Sequence, residues 1–305
     1  MESSFAHRSG GISSSAEIHP TAVVSSLARI GHHVRIGPFC VIEGGTWIGD
    51  GCRLEARVVI KEGTILGVEN HIFEGAVIGG LPQHINMPEK PGQVIIGSGN
   101  TIRENVTIHR ALEEDEATVV GDNNLLMVNV HIAHDCRVGN NTIFANNVML
   151  AGHVTVADRA YLSGAVAVHQ FCRIGAYAMV GGQAHINKDV PPYVTVDGLT
   201  SYVVGLNQIG LRRAGFSSAE IRILKEAYRI IYRSGLSWNE VLRALRERYP
   251  EGPAAQFYPF LSTTTRGIVP ERRSLNGAIF RLRRAEEEDN PLPELPVVNR
   301  VAQAG

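Results

Sequence analysis

The chain has 305 residues, enough for one large domain and a small one, and its formal net charge at pH 7 is −1. A charge this close to zero argues against a nucleic-acid partner and against binding to an anionic membrane surface. No run of about 18 apolar residues occurs, so no membrane span is predicted.

The first fifteen residues, MESSFAHRSGGISSS, lack the apolar core of a secretory signal. We expect residues 1–15 to be a disordered lead-in and the protein to be cytoplasmic. Four cysteines without clustered spacing agree with a reducing compartment.

A six-residue repeat then dominates the sequence. Large apolar residues recur at this interval, and only His84, Lys90 and Glu114 break the series. The residue four positions further on is mostly small, and all four cysteines occupy that position. Six residues fit neither one helix nor one long strand, and they favour a solenoid in which each hexad is a short strand plus a corner. The sequence therefore predicts a mainly β solenoid over 16–192, with the cysteines as core fillers.

Two insertions interrupt the repeat, at 81–93 and 110–117. The first has three prolines and includes Gln83, His84 and Asn86, whereas the second is acidic. A regular solenoid does not need loops, so loops on its wall are places where function is added. The alternative is that both are tolerated surface insertions.

Helical signals begin after two consecutive prolines. Capping boxes start helices at Ser217 and Ser237, and a third helix is expected over 254–264. We predict a small α-helical domain over 193–268. Its many arginines indicate either a solvated face or a docking surface for an acidic protein. The charged, proline-rich residues 269–305 are expected to be disordered.

Histidines accumulate in the middle of the solenoid. They are His109, His131, His134, His153 and His169. The hexads that hold His134, His153 and His169 start 18 residues apart. Coils of three hexads would place these three on one wall, about 4.8 Å apart along the axis. His134 precedes Asp135, and an acidic neighbour can fix the tautomer of an imidazole and keep it basic.

Two chemistries fit such a row. One is general-base catalysis in which the other side chains bind substrate, and the other is a metal site, because imidazole is a common zinc ligand. Against metal, the neighbouring Gln170 and Asn146 are poor zinc ligands but suit sugars and amides.

Several segments resemble the UDP-N-acetylglucosamine O-acyltransferases, a family of hexapeptide-repeat acyltransferases. The matching segments are IRENVTIHR (102–110), DNNLLMVNVHIAHDC (122–136), LAGHV (150–154), AVHQFCRIGA (167–176), DVPPYV (189–194), RRAGFS (212–217), YRSG (232–235) and STTTRG (262–267). The resemblance runs from about residue 16 to 268. It implies a left-handed parallel β-helix with a small C-terminal helical domain. It also implies a homotrimer with its sites between subunits, and neither metal nor cofactor.

The activity implied by the resemblance is transfer of a (3R)-3-hydroxyacyl chain from acyl carrier protein to the 3-hydroxyl of UDP-N-acetylglucosamine, which starts lipid A synthesis. His134 matches the general base, Asp135 the residue that orients it, and the backbone N–H of Gly152 the oxyanion donor. Gly182 matches a position that helps to measure acyl length. The other matched positions are His109, His131, His153, His169 and Gln170 for substrate contact, and Asn207 and Arg213 near the nucleotide.

The chain departs from the family where the nucleotide sugar is held. The family's first insertion carries Gln-Asp-x-Lys, whereas this chain has QHIN at 83–86, which keeps the glutamine and loses both charges. A nucleotide-contacting glutamate falls on Ile209, and the second of two paired arginines falls on Ala214. Either His84 and Asn86 make equivalent neutral contacts, or the acceptor is another one, such as a 3-amino UDP-sugar.

Two alternatives of other classes stay open. One is a metal-dependent hydratase of the β-helical carbonic anhydrase type, built on the histidine row. The other is a non-catalytic scaffold that keeps only the fold, and the intact His134-Asp135 and Gly152-His153 pairs argue against it.

Overall fold

The computed structural model describes residues 11–272, so residues 1–10 and the part of the expected tail after residue 272 lie outside it. Within this range the repeat folds, as predicted, into a left-handed parallel β-helix. Each regular coil gives one short strand to each of three sheets, and a strand of one regular coil pairs with the strand three places further along the chain. The sheets are the three walls of a prism.

The strands are distributed over the walls as follows. Sheet 1 contains β1 Glu17–Ile18, β4 Arg35–Ile36, β7 Arg53–Leu54, β10 His71–Ile72, β13 Thr101–Ile102, β16 Leu125–Leu126, β19 Ile143–Phe144, β22 Tyr161–Leu162, β25 Met179–Val180, β27 Val194–Val196 and β28 Val203–Leu206. Sheet 2 contains β2 Val23–Val24, β5 Val41–Ile42, β8 Val59–Ile60, β11 Val77–Gly80, β14 Thr107–His109, β17 His131–Ile132, β20 Met149–Leu150, β23 Ala167–Val168 and β26 His185–Ile186. Sheet 3 contains β3 Arg29–Ile30, β6 Trp47–Ile48, β9 Thr64–Leu66, β12 Gln93–Ile96, β15 Ala117–Val120, β18 Arg137–Val138, β21 Thr155–Val156 and β24 Arg173–Ile174.

The repeat residues fill the interior of the prism. From Ile30 to Ile186 each of them is at most 3% exposed. The four cysteines, Cys40, Cys52, Cys136 and Cys172, are buried beside them and unpaired. Burial raises the pKa of the Cys136 thiol to about 12, so it stays protonated at neutral pH. The prediction that the cysteines are core fillers is confirmed.

The corners of the prism turn on residues with a left-handed backbone. This residue lies three positions after the buried repeat residue, and Asn141 and Asn147 occupy it with φ of 56° and 62°. Asn, Asp and His are enriched in this region among non-glycine residues. Asp135 and His153 occupy the same position with φ of 60° and 59°, so both candidate site residues project from corners.

Both insertions leave the prism at one edge, where sheet 2 turns into sheet 3; we call this the 2/3 edge. They cover 81–92 and 110–116. Each is one residue shorter than expected, because Gln93 and Ala117 pair with each other as the first residues of their strands.

Two strands precede the helices, so the helical part starts later than residue 193. β27 extends sheet 1 by pairing parallel with β25, and β28 returns antiparallel to it. The helices are α1 Gln208–Arg213, α2 Ser218–Arg233, α3 Trp238–Arg248 and α4 Phe257–Ser262, with a 3-10 turn at Pro253–Gln256 before α4. The predicted capping box at Ser217 is present: its hydroxyl accepts from the Glu220 N–H, and its own N–H donates to the Glu220 carboxylate. No helix within residues 11–272 is long and apolar enough to cross a membrane.

Residues on both sides of the predicted range 16–268 also contact the fold. Ile12 bridges to Ile30, because it lies one repeat interval before Ile18 and continues the series. At the other end Val269 is buried, and the Glu271 carboxylate accepts a hydrogen bond of 2.6 Å from the Tyr228 hydroxyl. Residues 11–15 and 269–272 therefore pack against the fold.

Candidate active site

The predicted histidine row lies on the 2/3 edge, together with both insertions. His134, His153 and His169 follow β17, β20 and β23, which are neighbouring strands of sheet 2. The expectation that they share one wall is confirmed. The register of these strands places Gly152 one coil from His134, and it places His153 one coil from Asp135.

His134 and Asp135 form a buried hydrogen-bonded pair. Nδ1 of His134 lies 2.7 Å from Oδ2 of Asp135, and the two side chains are 10% and 11% exposed. The backbone N–H of Asp135 donates to the Thr118 hydroxyl at 2.8 Å, which holds the corner in place. A carboxylate at Nδ1 favours the tautomer with its proton there, so Nε2 is left as the basic nitrogen.

His153 contacts both residues of the His134–Asp135 pair. Its Nε2 lies 3.7 Å from Oδ2 of Asp135, and its ring is perpendicular to that of His134 with the centroids 5.2 Å apart. The ring of His153 also stacks on Phe171, with 4.7 Å between centroids. His153 is therefore stacked on an aromatic ring and has its Nε2 near the Asp135 carboxylate.

Gly152 packs directly on the His134 ring. A Cβ at this position would lie 2.4 Å from Cε1 of His134, so only glycine fits. Gly152 is buried, and its backbone N–H donates to no acceptor within residues 11–272. Unpaired buried N–H groups are rare in proteins, and this one is adjacent to the imidazole. It is available to a substrate oxygen.

His109 and His131 lie on the sheet 2 wall beside this edge. Their rings are perpendicular, with centroids 5.1 Å apart, and the Thr107 hydroxyl lies 2.8 Å from Nδ1 of His131. Burial lowers the pKa of His131 to about 4 and also lowers the pKa of His109. Both are therefore neutral at pH 7, and Nδ1 of His109 is buried without a partner in the described range.

The two insertions reach the His134–Asp135 pair from outside. The His84 ring meets the His134 ring edge-on, with 5.6 Å between centroids, and its Nδ1 accepts from the Asn86 N–H at 3.2 Å. Gln83, His84 and Asn86 are exposed. From the second insertion, the N–H of Leu112 approaches the Asp135 carboxylate at 3.3 Å.

Other predicted residues lie on different edges of the same chain. Asn207 caps α1 by accepting from the Gly210 N–H, and its amide donates to the Tyr177 carbonyl between sheets 3 and 1. Arg213 is exposed at the end of this helix. Gly182 lies at the third edge, between β25 and β26. Neither α1 nor Gly182 is on the edge that carries His134, whereas His169 and Gln170 are there and exposed.

Comparison with known proteins assigns the family. Residues 189–269 match the family model described as "Udp N-acetylglucosamine O-acyltransferase; Domain 2", and 27–62 and 117–152 match the bacterial transferase hexapeptide model. An acyl-[acyl-carrier-protein]–UDP-N-acetylglucosamine O-acyltransferase from Halorhodospira halophila is 45% identical over 83% of this chain and 98% of its own length. The chain belongs to the UDP-N-acetylglucosamine O-acyltransferase family.

Solved structures of UDP-N-acetylglucosamine acyltransferases agree with this assignment. The Francisella novicida enzyme is 38% identical, with a TM-score of 0.76 over 85% of this chain and 94% of that one. The Acinetobacter baumannii protein is 41% identical, with a TM-score of 0.75 over 85% and 99% of the two chains. The predicted family, fold class and acyltransferase activity are confirmed.

The positions where this chain departs from the family pattern are on the surface. Ile209 is 65% exposed on α1, and Ala214 is exposed just after it. The exposed face of α1 therefore offers Arg213 together with an apolar side chain, where the family pattern has more charge.

Three side chains of the site could also hold a metal ion. His134, Asp135 and His153 each offer a ligand atom, and these atoms lie within 4.8 Å of one another. Two imidazoles and a carboxylate are a donor set that zinc accepts. However, Nδ1 of His134 and Oδ2 of Asp135 are bonded to each other, so a metal bound through these atoms would break the contact that orients the imidazole.

The sequence interpretation missed three residues of the site: Thr118, Leu112 and Phe171. Phe171 lies three positions after a repeat residue, as do Asp135 and His153, so the repeat contains the signal that would locate it. Leu112 acts through its backbone from an insertion without periodicity, and no sequence signal marks it.

Proposed function

We propose that this chain moves a (3R)-3-hydroxyacyl chain from the thioester of acyl carrier protein to the 3-hydroxyl of UDP-N-acetylglucosamine, the first step of lipid A synthesis. The observation that carries the proposal is the buried His134–Asp135 pair with the open N–H of Gly152 beside it. A thioester is already activated, so a base and an oxyanion donor suffice for its chemistry. The family supplies the substrate class.

Each proposed step uses one of these groups. Nε2 of His134 takes the proton of the sugar hydroxyl as its oxygen attacks the thioester carbonyl, and Asp135 stabilises the imidazolium that forms. The N–H of Gly152 donates to the resulting oxyanion. Collapse of the intermediate breaks the C–S bond, and the thiolate of the carrier takes the proton from His134. No further reactant is needed.

We infer that a second copy of the chain completes the site. Arg213 and Gly182 project from the two edges that do not carry His134, so one chain does not bring them to the base. A homotrimer, in which each such edge faces a neighbour, accounts for this separation. The trimer and the cytoplasmic location belong to the proposal.

The acceptor is tested by comparing two nucleotide sugars. Acyl transfer from 3-hydroxyacyl carrier protein is measured with UDP-N-acetylglucosamine and with its 3-amino analogue. In His134→Ala we expect the rate to fall by about 10²–10⁴, the usual range for a general base. The matched control is His71→Ala, since His71 also pairs with a carboxylate, that of Glu55 at 2.6 Å, but on the outer face of sheet 1.

The outcomes separate the alternatives. Transfer to the N-acetyl sugar that disappears only in His134→Ala supports the proposal, with His84 and Asn86 as neutral replacements. Transfer to the amino analogue alone would keep the mechanism and change the acceptor. No transfer to either sugar by a folded trimer would contradict the proposal, and stoichiometric zinc in that protein would favour the hydratase alternative.

A further inference from the structure

Arg110 contacts both ends of the insertion that carries His84. Its backbone N–H donates to the carbonyl of Gly80, where the insertion leaves β11, at 2.9 Å. Its guanidinium donates from Nε to the Gly92 carbonyl at 2.6 Å and from Nη2 to the Pro91 carbonyl at 2.7 Å, where the insertion ends. One residue thus closes the base of the whole loop.

The Arg110 guanidinium packs against the wall of the prism. It lies against Gly63, which is two coils earlier on the same edge, where a Cβ would come within 3.1 Å of Cζ. Arg110 is half-buried, and both of its acceptors are backbone carbonyls, so its side chain is fixed by the fold. Hydrogen bonds from a charged donor are stronger than neutral ones, and a planar fork can hold two acceptors at once.

The next two residues continue the connection toward the base. The carbonyl of Ala111 accepts from the Gly92 N–H at 2.9 Å. The N–H of Leu112 then faces the Asp135 carboxylate at 3.3 Å. Residues 110–112 therefore join the insertion 81–92 to the carboxylate that orients His134.

The insertion has few other restraints of its own. Pro82, Pro88 and Pro91 have no N–H to donate, and no strand forms between β11 and β12. Its Lys90 pairs with Glu114 across 3.5 Å, but both side chains are more than 60% exposed, where ion pairs contribute little. Yet the loop places His84 against His134.

We propose that Arg110 is a positioning residue that holds the insertion 81–92 over His134, so that Gln83, His84 and Asn86 meet the nucleotide sugar. The inference rests on the proposed function for the identity of that ligand. It assigns the guanidinium no contact with either substrate. Arg110 acts through the loop, on binding of the acceptor rather than of the acyl donor.

The test compares Arg110→Gln and Arg110→Lys with Arg137→Gln. Arg137 also carries a guanidinium next to the second insertion, but its partner is Glu116 and it does not touch 81–92. In Arg110→Gln we expect KM for the nucleotide sugar to rise about tenfold, the effect of about 1.4 kcal/mol. KM for the acyl carrier thioester should stay within about twofold. Arg110→Lys should recover part of the loss, and Arg137→Gln should resemble the wild type.

A second readout does not depend on substrate. Hydrogen exchange of a peptide that contains the Gly92 amide should become faster in Arg110→Gln and stay unchanged in Arg137→Gln, with the melting temperature of the protein checked for each variant. Unchanged exchange, or an equal rise of both KM values, would overturn the inference. If the wild type transfers to neither sugar, the proposed function fails on its own account, and the exchange experiment still decides whether Arg110 holds the loop.

Discussion

At the residue scale, the corner that carries Gly152 differs from corners between sheets 3 and 1 by one missing side chain. On the edge between sheets 3 and 1, backbone N–H groups two positions after the repeat residue donate to side chains of the next coil. Asp122 donates in this way to Asn140, and Asn140 to Asp158, each at 2.7 Å. At the active corner the N–H of Gly152 has no such acceptor. The backbone position that is hydrogen-bonded at Asp122 and Asn140 is open at Gly152, and in the proposed mechanism it binds the oxyanion.

Replacing Gly152 by alanine should strongly reduce the rate of transfer and leave the fold intact. The added Cβ would lie 2.4 Å from Cε1 of His134, so the imidazole must move away from Asp135. The φ of Gly152 is not positive, so alanine adds no backbone strain. We expect kcat to fall by at least about 10², the lower bound for loss of a general base.

Gly164→Ala is the matched control for this substitution. Its Cβ would meet only the Asn146 carbonyl at 3.5 Å, an ordinary contact. Both variants are compared by kcat and by thermal melting. Full activity of Gly152→Ala would show that the imidazole does not need this close packing.

His131 should make stability depend on pH. Burial lowers its pKa from 6.5 to about 4 in the folded chain. Between these values the unfolded chain binds more protons, so the free energy of unfolding decreases as pH falls through this window and loses nothing further below it. His131→Asn removes this contribution, and the difference in melting temperature between pH 7 and pH 5 should become smaller. The same reduction in His185→Asn, at an exposed histidine of sheet 2, would contradict an origin at position 131.

At the element scale, the repeat predicts the prism because one interval fixes both burial and turning. The residue equivalent to Ile132 is buried on successive coils, and a left-handed corner follows three positions later. The six-residue interval therefore predicts the strands, the walls and the edge that the histidines share. The two insertions do not follow the six-residue repeat. The approach of His84 to His134 and of Leu112 to Asp135 therefore depends on tertiary contacts that no local pattern carries.

The same limit explains the strands before α1. β27 joins sheet 1 sixteen residues after its partner β25 rather than eighteen, since Met179 pairs with Thr195. Once the spacing changes, the repeat no longer marks a strand. Capping boxes are local signals, so the sequence predicts the helices well only from Ser217, where the first capping box occurs.

A ladder of amide side chains runs inside the edge between sheets 3 and 1. The carboxamide oxygen of Asn70 accepts from the Asn100 side chain at 2.9 Å, and that of Asn100 accepts from the Asn124 N–H at 2.9 Å. All three are at most 2% exposed. These polar residues occupy the position that is elsewhere filled by small apolar ones, and they are tolerated because each is bonded to the next coil.

Asn100→Ala should therefore destabilise the prism. It removes two hydrogen bonds and leaves the Asn124 N–H without its acceptor, which together cost about 2–4 kcal/mol. Thermal melting should show a decrease of several degrees, and Asn187→Ala, at an exposed asparagine, should melt like the wild type. An unchanged midpoint in Asn100→Ala would mean that the ladder contributes nothing to stability.

At the scale of the whole molecule, the helical part is fixed to the prism. Asp189 is 1% exposed and accepts from the Arg173 guanidinium at 2.7 Å, while the same guanidinium donates to the carbonyl of Phe260 in α4 at 2.8 Å. α1 is fixed as well, because Asn207 donates to Tyr177 and Phe216 packs on the Tyr177 ring. Because α1 is attached at a different edge, the proposed role of Arg213 in the site of His134 requires a second subunit.

Subunit mixing tests this conclusion. His134→Ala and Arg213→Ala should each be impaired as pure proteins, because each lacks one part of every site. When the two are co-expressed in equal amounts, a site that takes His134 from one subunit and Arg213 from the next is intact where the two variants meet in the right order. Random assembly of a closed ring gives this order in about one site in four, so activity should recover to about a quarter of wild type.

The control is the double variant co-expressed with wild type. In this mixture a shared site is intact only where two wild-type subunits are neighbours, which is again about one site in four, so no further activity is expected. If mixed trimers of the two single variants stay as inactive as the pure proteins, each site is built from one chain, and the separation of the edges has no part in catalysis.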